Sequence, residues 1–541
     1  MTGTPAMNRE WTSSRLRQSG ASRVSTCAAP VETSAGRVRG FERAGIHTFL
    51  GIPYGASTSG QARFRTAAPA VPWAGIRAAL AYGSACPQAD RRLGQPSERA
   101  AVEEAFLMGW NDTRHDEDCL RLNVWTPGPA PGAKRPVMVW LHGGHYSAGS
   151  ANEAAAFDGT NLSRRGDIVL VSVNHRLNAL GFLNLEAFGE SFAGSANAGM
   201  TDIVLALRWI RENIDAFGGD PGNVTIFGQS GGGGKVTTLM AMPDAAGLFH
   251  RAIVQSNCAL RQMPMETSLR LTFTVLRELD IPASDVRRLR EIPYEAISRA
   301  ERAAISKLCP PPNPARRNRR IRWEPVVDGV TLPDHAFGDR GPAVSSNVPL
   351  LVGTTLNEFH NGVGNDLPET TTEADLSASL EASFGDTAAR IRETFRSNHP
   401  GGSPFDILSR IYGATIRQSA VNQATMKMRQ AAAPAWLYWF TWHTPVLDRR
   451  PRAYHNAELP FVFANAERCA TATGGGDAAL ALEASVADAW IAFARCGNPN
   501  HDGLPEWPCF AAEGAPTMVF DNDCFVASGT DEEERKLVGE A

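Results

Sequence analysis

Residues 223–241 read Asn-Val-Thr-Ile-Phe-Gly-Gln-Ser-Gly-Gly-Gly-Gly-Lys-Val-Thr-Thr-Leu-Met-Ala. The run 223–227 predicts a short buried strand, and 234–241 predicts a helix. Between them stands Gly228-Gln229-Ser230-Gly231-Gly232. A serine on a sharp strand-to-helix turn, with glycine two positions away on each side, is the context of an exposed nucleophile. The glycines have a steric reason, because a side chain at either flank would meet neighbouring backbone. The helix that follows points its N-terminus at the serine, which favours developing negative charge there.

Working outward, Val137-Met-Val-Trp-Leu141 is an apolar run that stops at His142-Gly143-Gly144, and 167–173 is a second. In 201–217, Ile203, Leu207, Ile210, Ile214 and Phe217 recur at intervals of four and three, one face of a helix that Gly218 and Pro221 end. Further apolar runs occupy 252–255, 350–352 and 436–440, and weaker strand-like segments lie at 31–40 and 48–54. Fully apolar strands alternating with helices predict an α/β fold with a large, mostly parallel central sheet covered by helices on both faces. Residues 1–30, rich in Ser, Arg, Ala and Thr, are expected to be a flexible tail, and 31–541 a single domain. The basic stretch Arg316, Arg317, Arg319, Arg320 and Arg322 reads as a solvated loop rather than an anion site. The stretch 471–477, with Gly474-Gly475-Gly476, reads as a mobile loop.

Composition narrows the function. With 53 Lys and Arg against 57 Asp and Glu, the net charge of −4 gives no basic excess for nucleic acid. No run of 18 apolar residues marks a membrane span. Nine Cys in 541 residues, none in a CxxC pair, point to neither a disulfide-built fold nor a structural zinc. No signal-peptide core is visible, so a cytoplasmic chain is expected, or a secreted one if the true start lies elsewhere, Met7 being another candidate start.

A serine hydroxyl needs a base that an acid orients. In the chain order Ser, then acid, then His, the base is one of His250, His335, His360, His399, His443, His455 or His501, and spacing alone does not choose among them.

The sequence resembles the type-B carboxylesterases, a family of α/β-hydrolases that includes the cholinesterases and bacterial ester hydrolases. The resemblance runs from about Val31 to the C-terminus. It rests on Gly51-Ile-Pro-Tyr54, Arg63-Phe64, Glu117-Asp-Cys-Leu120, His142-Gly143-Gly144, Asn174-His-Arg176, Phe217-Gly-Gly-Asp-Pro221, Thr225-Ile-Phe-Gly-Gln-Ser230, Leu248-Phe-His-Arg-Ala252, Pro325-Val-Val-Asp-Gly329 and Gly497-Asn-Pro499. It implies a serine ester hydrolase that needs no metal or organic cofactor and acts on a small, mainly neutral ester. Carbamates, lactones or complex natural-product esters remain an alternative. So, more remotely, does an adhesion-type family member without catalysis, although the triad is complete here. Nothing in the sequence sets the oligomeric state.

The resemblance also implies roles. Glu358, in Val352-Gly-Thr-Thr-Leu-Asn-Glu358, is the acid, and His455, in Ala453-Tyr-His455, is the base. The backbone N–H groups of Gly144, His145 and Gly231 form the oxyanion hole, and Ser256 supports the triad from behind. Three positions depart from the family. His145 replaces Gly or Ala and is expected to be a bystander imidazole. Gly231 replaces Ala. Gln229 replaces Glu, and is expected either to remove a negative field from the substrate or to hydrogen-bond the backbone at the turn. Arg63 with Glu117, and Arg176 with Asp202, are expected to be buried framework pairs. Cys86 and Cys119 match a family disulfide, yet a cytoplasmic chain is expected to keep both as thiols. The other seven Cys are expected to be unpaired.

Overall fold

The computed structural model describes residues 26–89, 113–257, 259–309, 321–358, 362–363, 365–430 and 432–540. Among these, twelve strands form one sheet. From one edge they run Thr26–Cys27, Phe41–Arg43, Ile46–Pro53, Arg121–Thr126, Val169–Val173, Arg135–Leu141, Gly219–Gln229, Arg251–Gln255, Leu350–Thr355, Ala435–Phe440, Thr517–Phe520 and Phe525–Ala527. The seven from Val169–Val173 to Thr517–Phe520 are parallel, and the pairings outside them are antiparallel.

Alternation along the parallel strands shows why these runs are apolar throughout. Val137, Val139, Leu141, Ile226 and Val254 belong to one hydrophobic core. Their chain neighbours Met138, Trp140, Phe227 and Ile253 belong to a second, on the opposite face. Side chains alternate faces along a strand, so a sheet buried on both sides favours apolar residues at both parities. The helix Ala198–Asn213 and its 3-10 extension Ile214–Phe217 bury the predicted stripe, with Ile203, Leu207, Ile210, Ile214 and Phe217 all at 0 % exposure. Gly218, at φ 84°, turns the chain out of it.

The framework pairs form as expected. Arg176 Nε and Nη2 donate to Asp202 at 2.8 and 2.6 Å, both side chains buried. Arg63 Nε donates to Glu117 at 2.8 Å. Cys86 and Cys119 are buried and unbridged. The Cys119 thiol is pushed well up by its hydrogen bond with Cys86 and by burial.

Several expectations change. Thr26–Cys27 pairs antiparallel with Phe41 and Glu42, and Ala28 is buried, so residues 26–30 belong to the body; the rest of the expected tail lies outside the described residues. The stretch 471–477 is not all loop, since Ala470–Thr473 is a short helix and a long one starts at Asp477. Alternating small residues gave no apolar period there, but Ala472 and Thr473 are buried against the body. Arg316, Arg317, Arg319 and Arg320 lie outside the described residues, as do His360 and Cys258. Among the described residues no helix is long and apolar enough to cross a membrane.

Candidate active site

The candidate residues converge where the parallel strands end at their carboxyl edge, the usual site of ligand clefts in α/β sheets. Ser230 follows the strand Gly219–Gln229, Ser256 follows Arg251–Gln255, and the turn at 142–145 follows Arg135–Leu141. Glu358 lies three residues beyond Leu350–Thr355.

Ser230 occupies φ 57°, ψ −122°, a conformation held by its N–H donating to the Gln255 carbonyl at 2.8 Å and by the helix Gly231–Leu239 that starts after it. Strain of this kind persists only where the surroundings impose it. The glycines are required by contact. A Cβ on Gly232 would stand 2.0 Å from the Leu141 carbonyl oxygen, and one on Gly231 would stand 2.2–2.4 Å from backbone atoms of His145. The turn after Leu141 and the serine turn therefore touch through bare backbone, which brings Gly144, His145 and Gly231 together. Gly144 and His145 both adopt positive φ, 84° and 55°.

His455 Nδ1 lies 2.5 Å from Glu358 Oε2, and the His455 backbone N–H donates to the Glu358 carbonyl at 2.7 Å. Glu358 Oε1 accepts from the Thr355 N–H at 3.0 Å. Both side chains are buried. Four of the other described candidates are engaged elsewhere, and His360 lies outside the described residues. His250 accepts from the Val224 N–H, His335 from that of Gln262, and His399 pairs with Glu534. His501 contacts the Ser485 carbonyl. His443 is pushed down to about 4 by burial and by nearby arginines.

Gln229 corrects the reading of its own position. It is buried, and its Nε2 reaches His455 Nε2 at 3.1 Å and Nδ1 at 3.3 Å. It faces the imidazole, neither the substrate space nor the backbone of the turn. Among the described hydrogen bonds, the His455 ring is held by Gln229 and Glu358, not by Ser230. Contacts of the nucleophile to its base are commonly loose until substrate is bound. Ser256 is also corrected. It lines the pocket beside Ser230 at φ 50°, and its buried hydroxyl has no hydrogen-bond partner among the described residues, so it does not brace the triad. His145 is exposed at the pocket mouth, its Nδ1 3.5 Å from Arg322 Nη1. Arg322, expected in a solvated loop, lines the same pocket as Ser230.

Two neighbours escaped the sequence reading. Lys235, on the first turns of the helix after Ser230, is fully buried, and its Nζ donates to the His142 carbonyl at 2.8 Å, at the root of the glycine turn. Its position in the quoted stretch was a signal, since a lysine stands among otherwise apolar and small residues. Glu458 is fully buried, and its Oε1 accepts from Gln255 Nε2 at 3.1 Å. Burial, aided by the Glu358 charge, pushes its carboxyl up to about 7.

A strained serine on a strand–helix turn, an oriented His–Glu pair and a backbone turn packed against the serine define a serine hydrolase of the α/β-hydrolase fold. Residues 28–537 match the Carboxylesterase family. The chain is 34% identical over 513 residues to para-nitrobenzyl esterase of Bacillus subtilis (strain 168), covering 94% of this chain and 97% of the relative. It is 33% identical to phenmedipham hydrolase of Pseudarthrobacter oxydans, covering 90% and 94%. A Clostridium hathewayi esterase, described as hydrolysing aliphatic aromatic polyesters, superposes with a TM-score of 0.78 at 34% identity, covering 96% of this chain and all of the other. The chain belongs to the carboxylesterase family, and it is a serine hydrolase of carboxylic esters.

Proposed function

We propose that Ser230, His455 and Glu358 perform the hydrolysis through an acyl-enzyme. His455 takes the Ser230 proton as Oγ bonds to the ester carbonyl carbon. The oxyanion is held by the N–H groups of Gly144, His145 and Gly231. On collapse, His455 returns the proton to the departing alkoxide; water then attacks the acyl carbon as His455 takes one of its protons, and His455 passes that proton to Ser230 Oγ as the acyl–oxygen bond breaks, the other leaving with the carboxylic acid. Glu358 fixes the imidazole tautomer and stabilises the imidazolium. The observation that carries this reading is the 2.5 Å Glu358–His455 contact, both side chains buried. The substrate is a small, mainly neutral carboxylic ester. Carbamates, lactones and complex esters would use the same groups, and a substrate panel separates them. The direct test is a burst of p-nitrophenol with p-nitrophenyl esters together with organophosphate labelling of the serine. A burst and one label, both lost in Ser230→Ala, support the reading. Retained turnover above about a hundredth of the parent in Ser230→Ala would place the nucleophile elsewhere.

A further inference from the structure

A second cleft, of about 370 Å³, shares no lining residue with the pocket at Ser230. It opens where the turn 399–402, the start of the helix Pro404–Gln430 and the segment after the strand Ala435–Phe440 come together. Its charged and titratable walls are Arg410, Arg452, His443, His399 and Asp406, each of them partly exposed. The acids in reach are engaged. Asp406 accepts from Arg452 Nε at 2.9 Å and from Ser403 Oγ at 2.7 Å, and Glu534 pairs with His399 Nε2 at 2.9 Å. Asp521, which acts on His443, accepts from Thr441 Oγ1 at 2.6 Å and from the Asn522 N–H at 2.8 Å. Arg410, by contrast, has no hydrogen-bond partner and no carboxylate within ion-pair distance among the described residues. His443 feels the resulting field. Burial, then Arg449, Arg452 and Arg410, push its imidazole down to about 4, against an opposing pull from Asp521. The uncharged ring still offers one N–H donor.

Two of these arginines stand on a strained segment. Leu447, Asp448, Arg449 and Arg452 all lie at φ between 49° and 64°. Such strain in residues other than glycine persists only where the surroundings impose it, and it gathers at ligand clamps. The same segment runs into the catalytic base, since Arg452 lies three residues before His455. Asn357, which lines the cleft and precedes Glu358, grips it: its Oδ1 accepts from the Ala453 N–H at 3.2 Å, and its N–H donates to the Ala453 carbonyl at 3.0 Å.

We infer that this cleft binds a small oxyanion, a carboxylate or a phosphate, on the Arg410 guanidinium with the His443 N–H beside it, and that occupancy steadies the segment 443–453 leading into His455. A planar guanidinium offers paired N–H donors that match two oxygens of such an anion. Binding here is separate from ester cleavage, so its failure leaves the reading of Ser230 standing.

The test is isothermal titration of the full chain with inorganic phosphate and, separately, with sodium butyrate, against sodium chloride at matched ionic strength. At least one probe should bind saturably and raise the melting temperature above that in chloride. Arg410→Gln should weaken that binding at least about tenfold, and Arg410→Glu should abolish it. His443→Leu removes a donor from a neutral ring without changing the charge, and should weaken binding severalfold. Melts in chloride show that each variant folds. Hydrogen exchange in 443–453 should slow when the parent binds the probe. Tighter binding of phosphate assigns the site to phosphates, and tighter binding of butyrate to carboxylates. No binding beyond chloride would overturn the site. So would an affinity unmoved by the Arg410 variants, as for butyrate held in the catalytic pocket, or slowed exchange confined to regions outside 399–410 and 443–453.

Discussion

Adding one methyl group at Gly231 tests whether the oxyanion hole depends on bare backbone contact. The Cβ of Gly231→Ala would lie 2.2 Å from the His145 carbonyl oxygen, 2.3 Å from its Cα and 2.4 Å from its N. Ordinary contact begins near 3.4 Å, so the two backbone segments must part by about 1 Å. Neither is a flexible side-chain end. One segment starts the helix Gly231–Leu239, and the other is the turn anchored through His142 by Lys235. A displacement of that size at a reacting centre costs on the order of 10² in rate. Losing one oxyanion donor costs about 10²–10³, or ~2.7–4 kcal/mol. Gly231→Ala should therefore lower kcat by about 10²–10³ with KM changed only a few-fold, because the lost interaction belongs to the transition state. Steady-state kinetics on a p-nitrophenyl ester give the split. Binding of a trifluoromethyl ketone, whose adduct with the serine carries an oxyanion, should weaken in proportion to kcat/KM. A variant within about threefold of the parent in kcat would refute the reasoning, because the backbones would then yield without losing donors. The family resemblance noted Ala as common here, and the close approach of His145 gives a physical reason for glycine in this chain.

Other outcomes follow from the same site. Glu358→Gln should keep the fold and lower kcat by roughly 10³–10⁴, since the amide cannot hold the imidazolium as the carboxylate does; stopped-flow acylation rates measure it. Lys235→Met should lower kcat about 10–100-fold with little change in KM, because a buried charge-assisted bond to the turn, worth roughly 1.5–3 kcal/mol, is lost; a thermal melt run alongside shows that the variant folds. Glu458 ionises at an ordinary value of 4.5 and is pushed up to about 7 by burial, so its contribution to stability is full below pH 4.5 and is lost as pH rises through about 7. Glu458→Gln should accordingly gain in melting temperature over the parent as pH rises from about 5 to 8, and a constant difference would show that the carboxyl does not titrate there. Gln229→Glu should depress turnover of neutral and choline esters alike, because the new carboxylate would sit within about 3.3 Å of the His455 ring and not in the substrate space; a selective gain for the cationic ester would contradict that placement.

Much of the architecture was legible in the sequence because it is local or periodic. Runs such as Val137–Leu141 are apolar at both parities, and only a strand buried on both faces demands that. The spacing of Ile203, Leu207, Ile210, Ile214 and Phe217 depends on nothing beyond the helix that carries it. The serine turn announces itself because strand, tight turn and helix are consecutive in the chain, and steric contact dictates its glycines. What the sequence did not contain is the arrangement of groups far apart along it. Seven histidines fitted the chain order, and family resemblance had to select His455; in the fold, distances to Glu358 and Gln229 pick it out directly. The side chain of Gln229 points at that imidazole because the strand Gly219–Gln229 ends beneath it, a direction no linear motif specifies. Lys235 and Glu458 were passed over, and Arg322 was read as part of a solvated loop, for the same reason. A lysine, a glutamate and an arginine acquire meaning from what surrounds them, and burial, pairing and electrostatic neighbours are properties of three dimensions.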